Sequence, residues 1–259
     1  MSEEPELATA TIDFTMSGQP IHTEITIPNK PVRPVQMLPI FNRFADIVVD
    51  IAIESAQAEG KAISCKAGCG ACCRQLVPLS ETEAVHIAQV IHNLPEERRA
   101  IVQSRFVQAR EGLARSGLLE RLQSPGDIDG DQLIPFGLEY FHLGIPCPFL
   151  EDESCSIHAE RPISCREYLV TSPAEHCAKP KAGAVHCVPL GATVSKAVKS
   201  LGGKPSGRIL PWVPLILADE WAESHEEEAV RPAPELLRTF LERLGKQRTT
   251  DVQESITRQ

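Results

Sequence analysis

The stretch "CKAGCGACC", Cys65 to Cys73, places four cysteines in nine positions, with Cys72 and Cys73 adjacent. Its spacing is C-x3-C-x2-C-C, at Cys65, Cys69, Cys72 and Cys73. The chain between such thiols makes a single turn, so they can converge on one centre. Gly68 and Gly70 favour this reading, because glycine permits positive φ and lets backbone N–H groups come close. Around an iron–sulfur cluster, such N–H groups hydrogen-bond to sulfur and tune the potential. On a helix the four cysteines would share one face and could be inert core thiols. Two glycines at the start and Pro78 at the end argue against that helix. Metal or cluster ligation is therefore preferred to buried inert thiols and to redox thiol chemistry.

Five more cysteines follow: Cys147, Cys155, Cys165, Cys177 and Cys187. "CPFLEDESCSIH", from Cys147 to His158, reads as a hairpin around "EDES" that holds Cys147 and Cys155 on one small unit. In "RPISCRE", Pro162 fixes a turn just before Cys165, and Arg161 and Arg166 flank that thiol. Four thiolates around Zn(II) or an oxidised four-iron cluster carry a net charge of about −2. Nearby arginines would offset that charge and could donate to sulfur. His158 and His176 sit beside cysteines but read as satisfied polar side chains. His86, His92 and His142 have no special context. His186 and Cys187 are candidate auxiliary ligands.

Working outward, residues 8–28 alternate polar and apolar residues on both sides of "SGQP" and predict a β-hairpin. "PNKPVRPVQMLP" holds four prolines and reads as an extended linker. The next stretch, to Gly60, predicts a helix with Phe41, Phe44, Val48, Ile51 and Ala52 at helical spacing. Ser80 and Glu83 form a capping box opening a helix to about Asn93. Pro95 starts another to about Ser116, with a stripe of Val102, Phe106, Ala109 and Leu113 and with Arg98, Arg99, Arg105, Arg110 and Arg115 spread around it in solvent. "SPGDIDGDQ" is a loop. From Gly144 to about Pro189 no period holds, so this region needs something besides apolar burial to order it. Helices return near 191–201, 214–227 and 234–246. The fold expected is mainly α with small β-hairpins, and an irregular, metal-stabilised, cysteine-rich core flanked by helices. Its parts are a hairpin and linker at 1–36, a cysteine-cluster domain at 37–190, C-terminal helices packed on it at 191–250, and a disordered tail at 251–259.

The 259 residues carry a net charge of −9, which argues against a general nucleic-acid binder. Part of the acidity lies in "DEWAESHEEE", Asp219 to Glu228, read as a solvated helix face. The N-terminus shows no secretory pattern. The most apolar stretch, Ile209 to Ala218, is too short for a bilayer, which needs about 20 residues. No membrane or nucleic-acid partner is expected, and a small-molecule or protein substrate stays open. The expected location is cytoplasmic, where thiols stay reduced and dense cysteines serve metals or catalysis. "LGGKPSG", residues 201–207, lacks the strand–helix context of a phosphate loop and reads as a turn.

"CKAGCGACC" followed by "PCPFLEDESCSIHAERPISCR" resembles the YkgJ-like cysteine-cluster family, the CxxCxxCC proteins regarded as zinc or iron chelators. The order is a CC cluster, C-P-F-L, a short acidic turn, C, R-P-x-x-C-R and a later C. It spans roughly Cys65 to Cys177. Position by position, the resemblance marks Cys65, Cys69, Cys72, Cys73, Cys147, Cys155, Cys165 and Cys177 as metal or cofactor ligands. Cys187 lies outside it. The cofactor implied is an iron–sulfur cluster, with Zn2+ as the alternative. A relative of the domain occurs in flagellin lysine-N-methylases, so a cluster-dependent methyl- or group-transferase remains an alternative, as does a metal chelator or delivery protein. Because adjacent side chains diverge, Cys72 and Cys73 are expected to serve two neighbouring centres, each mixing ligands from 65–73 and 147–177, with a single polynuclear centre bridged by thiolates as the alternative.

Overall fold

A computed structural model describes residues 7–16, 19–128, 131–181, 183–202, 212–225 and 229–257. The expected hairpin is present. β1 (Leu7–Met16) and β2 (Gln19–Pro28) pair antiparallel from Leu7 opposite Pro28 to Met16 opposite Gln19. The turn residues 17–18 lie outside the described residues. A two-stranded hairpin alone is marginal in water, and here Ile12, Ile25 and Ile27 are buried against other elements. The linker forms β3 (Pro31–Val32) and a 3-10 turn before α1 (Leu38–Ala58). Leu38, Phe41, Phe44, Ala45 and Val48 of α1 are buried, as their helical spacing predicts.

β4 (Pro78–Leu79) precedes α2 (Glu81–His92). The capping box forms: the Glu83 N–H donates to Ser80 Oγ at 3.1 Å, and Glu83 Oε2 accepts from the Ser80 N–H at 2.9 Å. α3 (Glu96–Ser116) buries the expected Val102, Phe106, Ala109 and Leu113 and ends at Gly117 with φ 78°. α4 (Leu119–Gln123) and α5 (Leu133–His142) follow, and sequence reading assigned neither. Pro135 and Gly137 disguise α5, although Pro in a first turn costs no hydrogen bond. The loop between them begins with a 3-10 turn at Pro125–Asp127, and residues 129–130 of it lie outside the described ones.

Between Gly144 and Pro189 the elements are short: β5 (Leu150–Glu151), β6 (Ser154–Cys155), α6 (Ile163–Glu167) and α7 (Ala174–Ala178). The region has apolar anchors of its own. Phe149 and Ile157 join a core with Leu79, Ile87, Val102 and Phe106, and Ile163 joins another with Phe41 and Phe44.

The chain closes with α8 (Val194–Lys199), β7 (Val213–Pro214), α9 (Ala218–Ser224), β8 (Arg231–Pro232) and α10 (Ala233–Thr257). The short strands tie distant segments: β3 pairs with β8 and β4 with β7. α10 runs on to Thr257, past the end near 246 read from sequence. Phe240 on α10 packs against Phe41 and Phe44 of α1, with ring centroids 4.6 and 5.2 Å apart. The hairpin, α1, α8 and α10 thus share one apolar core. Most of the "LGGKPSG" turn, residues 203–207, lies outside the described residues.

Candidate metal centre

The cluster loop begins where the Ser64 N–H donates to the Val170 carbonyl at 2.9 Å. Gly68 adopts φ +79°, the left-handed conformation that suits glycine. Its N–H donates to Ser154 Oγ at 3.2 Å. Gly70 serves differently: its φ is −90°, and it is needed for space. A Cβ there would meet Glu153 Oε2 at 2.6 Å, Leu150 Cδ1 at 2.7 Å and Glu153 Cα at 3.1 Å. The loop is therefore seated on the β5–β6 hairpin.

That hairpin turns through Asp152 and Glu153, both with positive φ (48° and 54°). Its backbone engages both cysteines, since Leu150 N–H donates to Cys147 O at 2.9 Å and Leu150 stands opposite Cys155 in the strand pair. Arg74 locks loop to hairpin, donating to Glu153 Oε1 at 2.7 Å and to Gly70 O at 2.8 Å. From the other side Arg98 and Arg105 of α3 hold Glu151 at 2.7 and 3.0 Å. These two arginines were expected to be free in solvent. Their partner lies in β5, 46 or more residues away, which helical spacing could not reveal.

The two cysteine groups meet at the backbone. The Cys147 N–H donates to the Cys73 carbonyl at 2.7 Å. Cys165 opens α6, its N–H donating to the Pro162 carbonyl at 3.0 Å as the turn at Pro162 predicts. α7 carries the buried Cys177 and packs on the 3-10 turn at Ala71–Arg74. All nine cysteines are free thiols.

The neighbouring Cys73 thiol and burial push the pKa of Cys72 far up. The expectation of divergence rests on ideal helix and strand geometry, and the pair sits in neither. Cys73 has φ −75° and ψ 16° in a kinked 3-10 turn. Burial raises Cys147 to about 12, with Cys155 and Cys72 adding to it. Burial also raises Cys155, and Cys165 more strongly, and both feel Cys72. Cys65, Cys177 and Cys187 are raised by burial too. Reactive nucleophilic thiols have depressed pKa values, and these are the reverse. A bound cation inverts that balance and deprotonates a coordinating thiol.

Arg161 supplies positive charge to this group, lowering the pKa at Cys65, Cys72 and Cys155. Its Nε is buried without a hydrogen-bond partner. A donor in that position suits an anionic, sulfur-rich centre. Arg166 is engaged elsewhere, with Asp46 of α1 at 3.1 Å and with the Ala159 carbonyl. His158 contacts Arg161, which holds its pKa below the usual value. His176 Nδ1 lies 2.8 Å from the Ala184 carbonyl. A cavity of about 10 Å3 beside Arg161, lined by Asn42, Glu83, His86 and Glu160, has room for about one water and no organic substrate.

The donor chemistry thus fits a thiolate-held metal. Among the described residues, no three His, Cys, Asp or Glu side chains already stand in ligating geometry.

Residues 64–186 match the CxxCxxCC family. Its description is "putative zinc- or iron-chelating domain". The matched stretch contains eight of the nine cysteines and ends one residue before Cys187. No curated protein and no solved structure matches the chain. Among the described residues, no helix is long and apolar enough to cross a membrane.

Proposed function

We propose that this chain is a metalloprotein whose CxxCxxCC module holds thiolate-ligated metal, as an iron–sulfur cluster or as zinc. Support comes from the 2.7 Å bond from Cys147 N–H to Cys73 O, which joins the segment of Cys65, Cys69, Cys72 and Cys73 to the segment that carries Cys147, Cys155, Cys165 and Cys177. All-cysteine ligation suits both groups. An iron–sulfur cluster would supply electron transfer, and zinc a structural clamp.

The chain's own residues set up the site. Gly68 and Gly70 seat the loop on the hairpin, Arg74 and Glu153 hold it there, and Arg161 offsets thiolate charge. The Phe149 and Ile157 core screens Cys147 and Cys155 from solvent. The setting proposed is cytosolic, where such thiols stay reduced.

Elemental analysis of the anaerobically purified full chain tests the reading. Iron with acid-labile sulfide and a brown colour identifies a cluster, and zinc in a colourless protein identifies zinc sites. Protein free of both, which also takes up neither on reconstitution, refutes the reading.

A further inference from the structure

We propose that the outer edge of β1 docks a second copy of this chain, which adds its own β1 antiparallel to make a four-stranded sheet with a two-fold axis at Thr11. The inference is independent of the metal-binding reading above.

The ladder fixes which way the backbone of β1 points. Partners along an antiparallel pair alternate between hydrogen-bonded and non-hydrogen-bonded. Met16 and Gln19 enclose only two residues, so theirs is a hydrogen-bonded pair. Counting back by twos, Phe14, Ile12, Ala10 and Ala8 bond to Ile21, Thr23, Ile25 and Ile27 of β2. The N–H and C=O groups of Leu7, Thr9, Thr11, Asp13 and Thr15 therefore point away from β2. Among the described residues, no other strand pairs with β1 or β2.

The two outer edges differ. On β2 the outward positions include Pro20 and Pro28, opposite Thr15 and Leu7. Proline has no N–H to offer, and sheets blunt their edges in this way. β2 also lies against α10. β1 holds neither proline nor lysine, and three of its outward residues are threonines, which suit a strand. An unguarded edge of this length is a template for another strand. The core-side face is also less covered here: Ile25 and Ile27 of β2 are 2% exposed, whereas Ala8, Ala10 and Phe14 of β1 are half-buried.

β1 is complementary to itself about Thr11. A two-fold axis there keeps each face of the sheet on one side. Thr11 then faces its own copy, Thr9 faces the partner's Asp13, and Leu7 faces the partner's Thr15. On the core-side face Ile12 meets the partner's Ala10 and Phe14 the partner's Ala8, large against small. This register uses the edge from Leu7 to Thr15 and sets no charge against its like, whereas an axis at Asp13 would oppose two carboxylates. The contact is one strand wide, so main-chain hydrogen bonds supply most of the affinity. The dimer should therefore be weak, with a Kd of about 1 μM to 1 mM.

Sedimentation equilibrium of the full chain tests this, with a thiol reductant present to keep the cysteines from cross-linking. Across that concentration range wild type should pass from monomer to dimer. Thr11→Pro removes an outward N–H and no bond to β2, and should stay monomeric. Thr9→Asp sets a carboxylate against the partner's Asp13 and should weaken the dimer about tenfold. Thr9→Lys should tighten it. Opposite shifts at one position separate docking from a loss of folding. Thr26→Lys, on the outer edge of β2, should change nothing, which separates register from net charge. A wild type that stays monomeric throughout, or assembles beyond a dimer, would overturn the proposal. So would a dimer that survives Thr11→Pro, shifts of the same sign in both Thr9 variants, or an effect of Thr26→Lys as large as that of Thr9→Asp.

Discussion

Gly70→Ala tests whether the cluster loop is seated on the β5–β6 hairpin. Gly70 sits at φ −90° and ψ 14°, which alanine adopts without strain, so any cost is steric. The new methyl would meet Glu153 Oε2 at 2.6 Å and Leu150 Cδ1 at 2.7 Å, with Glu153 Cα behind them at 3.1 Å. The carboxylate can swing aside, but this breaks its pairing with Arg74. The backbone atom cannot move without shifting the hairpin. Overpacking of this kind costs about 1–3 kcal/mol. In a chain of this size that lowers the midpoint of thermal unfolding by about 2–10 °C. Gly137→Ala is the control: nothing lies within 4 Å of its would-be Cβ, and alanine in a helix gains about 0.5–1 kcal/mol over glycine. Calorimetry of both variants gives the comparison, and metal uptake by Gly70→Ala should weaken in parallel. Gly70→Ala as stable as wild type, with unchanged metal affinity, would refute the seating.

Glu83→Ala removes one carboxylate that accepts from Ser80 N–H, Ser80 Oγ and, at 2.8 Å, Ile163 N–H. The loss should be about 2–4 kcal/mol by urea unfolding, since buried donors are left unpaired. His22 lies 2.7 Å from Asp13, and that hydrogen bond raises its pKa above the ordinary 6.5. The stabilisation of the hairpin by this pair is complete below 6.5 and is lost as pH rises through the raised pKa. An NMR titration should find the raised value in wild type and a return towards 6.5 in Asp13→Asn. Chelation, or Cys155→Ser, should open residues 144–190 to protease while α1 and α3 resist, because metal binding there contributes folding free energy. Protease resistance unchanged in metal-free protein would count against that coupling.

Local signals were legible where the physics is local. The capping box at Ser80 and Glu83, the stripe from Val102 to Leu113 and the hairpin around Asp152 and Glu153 all form as their residues dictate. α5 was hidden because Pro135 and Gly137 read as breakers, and its apolar face is defined by Trp212 and Ile216 from far along the chain. The cysteines from Cys65 to Cys177 stand in a motif order that sequence displays, and the bond from Cys147 N–H to Cys73 O joins the two segments at the backbone. The placement of Cys187 beside Val170 is not legible there, because that bridge depends on tertiary pairing. The kinked 3-10 turn at Cys72 and Cys73 was hidden for a different reason: ideal helix and strand geometry does not describe it. Arg98 and Arg105 show the same limit, as their partner Glu151 is fixed only once the hairpin docks on α3.

X-ray absorption at the metal edge of the loaded full chain tests most directly whether thiolates from both segments hold the metal. The spectrum should show about four sulfur neighbours per metal, near 2.3 Å for zinc, and a reduced sulfur count in both Cys72→Ser and Cys165→Ser. A shell of oxygen or nitrogen, or a sulfur shell that both substitutions leave unchanged, would contradict the account.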